Sequence, residues 1–447
     1  MKERYNCILK YEVKIETTSS LCIGSDEVGE ILKHPVTGMP FIPATSIAGV
    51  FNHYVKKNYK EWEKQYSFIE NGGKDRNSLG VFKVSDGSFV KKTMKLEQRD
   101  RIKIDGYFGV VGTSDSIEDA GQKFNQELLN KGAQAIFTIE YLCMRENIEL
   151  AAEIIEQCLI AMKEGKITFG GQSSQGCGRV IPLSVKKYLY DMEQEVERQL
   201  YLEEKQPNYE ELSLQCLNKM KHERTYLLEG KASQSFLVKK IKKQIIQTKT
   251  GERTVDVARN MTNGDGDFMI PASSIKGVFR NHMEKILSIY SISCDKKDKL
   301  MEAMFGSQEK MGALVFNDAI IGTQEENQNV TMQNRIRIDP FTGSVFSGSL
   351  LYQKPAKGAV QLVVRQRNLK SGYANAITAL LLFTFRDIAE QEVIFGGSSS
   401  IGKGFLNVES VRMFEEEEIQ IIPIIEDNNN KISMYLSALQ DEVVRND

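Results

Sequence analysis

Hydrophobic and polar residues alternate along 6–16, the period of a strand with one buried face. A loop bearing glycine and aspartate follows at 20–29. Pro43 stands before Ser46, a residue type that caps helices by accepting a backbone amide, and the apolar spacing of 47–59 predicts a helix. Short strands are predicted at 81–84 and 133–141, and a second helix at 148–162 that stops near Gly165. A glycine loop, 170–178, leads into a last strand at 179–183. The second half has the same rhythm: a helix at 274–289 behind Pro271, strands at 312–316 and 360–364, a helix at 374–389 and a final strand at 404–411. Strand–helix–strand–strand–helix–strand is the order of an α+β, ferredoxin-like (RRM-like) domain, here twice in tandem. Each copy carries a polar insertion, 91–130 and 323–350, long enough to be functional or disordered.

The two halves share wording as well as rhythm. Pro40-Phe41-Ile42-Pro43-Ala44-Thr45-Ser46-Ile47-Ala48-Gly49-Val50-Phe51 matches Phe268-Met269-Ile270-Pro271-Ala272-Ser273-Ser274-Ile275-Lys276-Gly277-Val278-Phe279. The segment ending at Asp86 matches the one ending at Asp318, Arg101-Ile102-Lys103-Ile104-Asp105 matches Arg335-Ile336-Arg337-Ile338-Asp339, and Phe169-Gly170-Gly171 matches Phe395-Gly396-Gly397. Four motifs in one order, at one nearly constant offset, mark an internal duplication. The expected division is a first domain at 1–190, a charged helical linker at 191–224 broken by Pro207, a second domain at 225–414, and an acidic, solvated C-terminal tail at 415–447.

Composition narrows the function classes. Of 447 residues, 41% are hydrophobic and the net charge is −2, so any nucleic-acid site must be a local basic surface and not a global one. Seven cysteines, an odd number with no CxxC spacing, exclude a disulfide framework or zinc site and suit a reducing compartment. The N-terminus lacks a signal-peptide core and no apolar run reaches membrane-spanning length, so the expected location is cytoplasmic, with no membrane partner.

The IPxSSxKG helix start, the RIRID-Pro-Phe-Thr-Gly insertion and the terminal glycine-rich loop together resemble the RAMP superfamily of CRISPR proteins, and within it the backbone subunits of type III (Csm/Cmr-like) effectors. The second repeat fits better, adding Met304-Phe305-Gly306-Ser307; in the first, Ala48 replaces the motif lysine and the Phe-Gly-Ser segment is missing. The resemblance implies ferredoxin-like domains with a protruding thumb, stacked along a CRISPR guide RNA, the thumb kinking the guide–target duplex. It implies as partners the guide RNA, the complementary target RNA, other RAMP-type subunits and the large subunit of the complex. It also implies target cleavage by an aspartate in the loop before the IPxSSxKG helix, a place held by Asp256. The first repeat has Val28 in register, with Asp26 and Glu27 nearby as a secondary acidic candidate.

Candidate chemistry follows from these motifs. Lys276 and Arg280, four apart behind a helix start with Ser274, share a face and would hold an RNA phosphate; Ser46 is the counterpart in the first repeat. The alternative is an ordinary solvated helix face. Gly396 and Gly397 with Lys403, and Gly170 and Gly171 with Arg179, either let backbone approach a guide strand closely or simply make tight turns. Arg335 and Arg337, like Arg101 and Lys103, sit at i and i+2 and would line one side of a strand, for phosphates. Phe341, and Tyr107 or Phe108, would stack on bases or belong to the core. Asp256 would bind Mg²⁺ or position a 2′-hydroxyl, or else cap a turn; Asp265 and Asp267 form a structural turn. His34, His53, His222 and His282 show no metal spacing. Three functions remain open: a guide-binding subunit that cuts target RNA, a non-catalytic structural or end-cap subunit, and a stand-alone guide-processing endonuclease, which would want a histidine base.

Overall fold

The computed structural model describes residues 6–25, 29–59, 82–102, 124–205, 209–215, 223–248, 251–290, 293–307, 309–346, 350–397, 402–415, 417–423 and 429–444. The chain divides into two compact units, the first from 1–99, 125–173 and 177–219, the second from 100–124, 174–176 and 220–447.

In the first unit, β1 (Cys7–Thr17) alternates buried and half-buried side chains as its sequence predicts. There follow β2 (Phe41–Ile42), α1 (Ala44–Asn58), β3 (Phe82–Val84), β4 (Gly87–Phe89), β5 (Leu96–Arg101), β6 (Phe124–Leu129), β7 (Gln134–Cys143), α2 (Ile148–Lys163), β8 (Val180–Asp191), α3 (Glu195–Leu202) and β9 (Glu210–Glu211). The central sheet runs β2-β4-β7-β1-β8-β9, with β3 also on β7. With β3/β4 as the second strand, this is the antiparallel order of a ferredoxin-like domain, the first strand lying between the third and fourth. Phe51 of α1 and Ile154, Ile155, Cys158 and Leu159 of α2 bury one helix face against it, the spacing that makes an amphipathic helix. Gly165 takes the left-handed conformation just past α2 (φ +72°), where a glycine ends a helix without strain.

The second unit repeats the plan with additions. Its elements are β10 (Arg224–Phe236), β11 (Lys239–Thr248), β12 (Gly251–Asn260), β13 (Met269–Ile270), α4 (Ala272–Ile289), α5 (Cys294–Phe305), β14 (Leu314–Phe316), β15 (Ala319–Ile320), α6 (Gln324–Gln328), β16 (Gln333–Arg335), β17 (Leu351–Lys354), β18 (Ala356–Gln366), α7 (Ala374–Ala389), β19 (Asn407–Phe414), β20 (Glu418–Ile422) and α8 (Asn429–Val444). The main sheet is β14-β18-β10-β19-β20, the same ferredoxin-like order with one extra strand. A second sheet, β11-β12-β17-β16, is built from the segment between β10 and β13 and from the stretch just before β18, of which only β16 falls in the 323–350 insertion.

Several expectations need correction. Ser46 does not cap α1. The caps are Pro43 and, in the second unit, Pro271, and the first free amides, Ala44 and Ala272, donate instead to the distant carboxylates of Asp86 and Asp318, both at 2.7 Å. The last strand of the first repeat is far longer than 179–183, because β8 pairs along the whole of β1 to Cys7↔Asp191. The segment 191–224 is no free linker: β9 pairs with β8, and Leu212 and Leu214 pack on the first core; Pro207 lies outside the described residues. The acidic tail is likewise built in. β20 pairs with β19, and α8 buries Tyr435 and Leu439 in the second core, because apolar residues recur at helical spacing behind the acidic runs.

Candidate nucleic-acid interface

The second sheet of the second unit gathers cations. β11 contributes Lys239, Lys240, Lys242 and Lys243, β12 Arg259, β17 Lys354 and β16 Arg335, against the acidic Glu252 and Asp256 of β12. Lys239, Lys242 and Lys243 are exposed. Sequence reasoning passed over this group, although the run Lys239-Lys240-Ile241-Lys242-Lys243 was there to be read as a basic strand.

Asp256 lies in this sheet, in the middle of β12 and directly across from Lys243, and not in a loop. It is exposed and caps no turn. Among the described residues no three His, Cys, Asp or Glu side chains converge as a metal site would require. The donor set therefore fits Mg²⁺ only as an ion shared with a ligand, to which the protein would supply the single Asp256 carboxylate. Asp265 and Asp267 do form a turn, their amides donating to the Asn263 Oδ1 at 3.0 and 2.9 Å. Asp26, Glu27, Lys103, Tyr107 and Phe108 lie outside the described residues.

Beside the sheet projects a hairpin carrying the Arg335–Gly343 motif. The Asp339 carboxylate accepts the amides of Phe341 and Thr342 at 2.8 and 3.2 Å, Gly343 supplies the left-handed turn (φ +66°), and Ile338 bridges to Val345. Phe341, at its tip, is 97% exposed, so it is no core residue, and Ile336, Ile338 and Val345 are exposed with it. Arg337 is exposed over the Phe346 ring at 5.0 Å, while Arg335 is half-buried at the end of β16. Their equivalent in the first repeat, Arg101, is half-buried and donates to the Gln175 side chain.

The helix-start cations divide. Lys276 is half-buried: its ammonium donates to the Phe305 carbonyl and to the Ser174 hydroxyl, both at 3.0 Å. Burial, and then the neighbouring Arg280, hold its pKa below the ordinary lysine value. Arg280 is exposed, over the Phe305 ring at 5.7 Å, and is the cation of this pair open to an anion. Ser274 and Ser46 are half-buried in the first helical turns, their amides donating to Pro271 and Pro43. Ala48, in place of the lysine, is buried.

In the glycine loops, the close backbone approach is to the chain itself. Gly170 (φ +72°) leaves 2.1 Å between a would-be Cβ and the Cys22 carbonyl oxygen, and Gly396 (φ +82°) leaves 2.6 Å to that of Leu237. The next residues, Gly171 and Gly397, donate to those same carbonyls at 2.8 and 2.9 Å. Arg179 packs its guanidinium over Gly165. Lys403 is only 7% exposed, and donates to the side chains of Gln333 and Gln353 at 2.9 and 3.0 Å, tying its loop to the basic sheet. Burial and then Arg335 lower its pKa.

His282 is the histidine with a partner of note: its Nε2 lies 2.7 Å from Asp387, a carboxylate shared with Arg386, so it joins α4 to α7. No helix among the described residues is long and apolar enough to cross a membrane.

Two ferredoxin-like units in tandem, with matching helix starts and glycine loops, define a duplicated domain. The chain belongs to the RAMP superfamily, whose family model matches residues 14–181 and 250–407, one stretch in each repeat. No curated protein matches the chain. Among solved structures, it is similar to a chain of a "Cryo-EM structure of the Type III-B Cmr-beta bound to cognate target RNA", at 20% identity and a TM-score of 0.31, over 40% of this chain and 60% of the other. That likeness is distant, and the family assignment stands on the sequence match alone.

Proposed function

We propose that the chain is a guide-RNA-binding backbone subunit of a type III CRISPR ribonucleoprotein whose second repeat cuts target RNA at Asp256. The observation that carries this reading is the union, in one unit, of a basic four-stranded sheet and an apolar hairpin ending in the exposed Phe341. Cations on a sheet fix the register of an RNA strand through its phosphates without reading sequence. An exposed aromatic tip offers a stacking surface that tolerates any base. Two repeats would supply two successive segments of a backbone, beside other RAMP-type subunits and the large subunit.

Asp256 is open to solvent in this basic setting. A Mg²⁺ shared with the scissile phosphate would supply charge neutralisation there. The Asp256 carboxylate itself would hold that ion through an oxygen, or orient and deprotonate the 2′-hydroxyl, whose oxygen would bond to the adjacent phosphorus as the P–O5′ bond breaks and the departing 5′-oxygen takes a proton from water. The test uses the assembled complex, Mg²⁺ and a labelled RNA complementary to the guide. Loss of a cut in Asp256→Ala, with guide uptake intact, supports the reading; an unchanged cut leaves a structural subunit in its place.

A further inference from the structure

The ribbon of β11 and β12 outruns its sheet. β17 pairs with β12 only from Val257 to Arg259. From Asp256 to the Gly251 end, β12 has β11 alone as a strand partner among the described residues. Strand alternation sets Lys239, Ile241, Lys243 and Ile245 on one face, together with Asp256. At ~3.4 Å per residue, Lys239 and Lys243 lie ~13 Å apart along it. Lys242 stands on the opposite face, also exposed.

Lysines on an edge strand ordinarily serve to keep other strands away. That role leaves the isoleucines unexplained, because Ile241 and Ile245 are 59% and 62% exposed between the cations. Alternating cations and apolar side chains suit a ligand that alternates charge with apolar surface, as a nucleic-acid strand does. In the first unit, the corresponding stretch between β1 and β2 shows only isolated bridges among its described residues, Leu21↔Leu129, Gly24↔Ile31 and Lys33↔Pro40. The ribbon therefore belongs to the repeat that carries Asp256.

We infer that this ribbon grips the strand being cut, the target RNA, with Lys239 and Lys243 on phosphates beside the scissile bond. The inference rests on reading Asp256 as the cleavage residue. Asp256 faces Lys243 directly, at the ~5 Å Cα separation of cross-strand neighbours. Whichever strand reaches that carboxylate must then pass over these lysines.

The test takes the full chain, assembled with guide RNA, and compares it with a Lys239→Gln/Lys243→Gln variant and the matching double Lys→Arg variant. Guide uptake, affinity for a labelled complementary RNA at several salt concentrations, and cutting are measured. Guide uptake should be unchanged in both, because Arg259, Arg335 and Lys354 of the same sheet remain to hold the guide. The Gln variant should bind target roughly ten- to a hundredfold more weakly, with a salt slope shallower by about 1.4, as expected for losing about two phosphate contacts. The Arg variant should match the wild type. The proposal is overturned if the Gln variant loses guide in place of target, if neither RNA is affected, or if the Arg variant fails equally. Failure of the parent reading shows separately: cutting that survives Asp256→Ala removes that carboxylate from the chemistry, and a wild-type chain that takes up no guide overturns both.

Discussion

The carboxylate of Asp318 accepts the backbone amide of Ala272 at 2.7 Å, and Asp86 does the same for Ala44 in the other repeat. Each aspartate follows a short strand, yet each satisfies the start of a helix some forty residues earlier in the chain. A proline at the N-cap has no side-chain acceptor to offer, so the cap is supplied through tertiary structure. Asp318→Ala should cost about 0.5–2 kcal/mol, the range for losing an N-cap acceptor. Urea unfolding checks this, and a change under a few tenths of a kcal/mol would show that water replaces the carboxylate.

Gly396→Ala should destabilise the second unit. The left-handed backbone costs a residue with a Cβ about 1–2 kcal/mol, and the new methyl would sit 2.6 Å from the Leu237 carbonyl oxygen. Gly170→Ala, at 2.1 Å from Cys22, should do the same to the first unit. Gly38→Ala is the control: its φ is also positive, but nothing lies within 4 Å, so it should carry only the backbone cost. Thermal melting separates the two terms.

Lys276 sets a pH dependence. Burial lowers its folded pKa below the unfolded value of 10.5. Between those two values the unfolded chain binds the extra proton, so folding becomes more favourable as pH rises through the window. The penalty is full below the folded pKa and gone above 10.5. The stability of the wild type relative to Lys276→Met should therefore shift in the wild type's favour as pH rises toward 10.5. Parallel stability curves for the two proteins would rule the effect out.

Phe341→Ala should leave stability within about 0.5 kcal/mol, as for other exposed substitutions. If the hairpin stacks on RNA, the same change should weaken binding to the guide–target duplex by about 1–3 kcal/mol. Equal affinity in a filter-binding titration would remove the tip from the interface.

The sequence by itself determined the duplication, the ferredoxin-like order and most element positions. These follow from side-chain periodicity and from motifs that recur along the chain, and both are local properties. Helix α7, for example, spans Ala374–Ala389 where its apolar run predicts it. The tertiary structure alone decided which charged groups face solvent. Lys276 and Lys403 stand in motifs that suggest phosphate contact, yet both ammonium groups donate to the chain's own oxygens. The first glycine of each Phe-Gly-Gly loop, Gly170 or Gly396, is needed to pass beside one of the chain's own carbonyls. Asp256 became a strand residue opposite Lys243 only through pairing between β11 and β12. Periodicity states which face of an element is apolar, whereas exposure and partnership depend on what other segments bring to that face, and those segments lie far away in the chain.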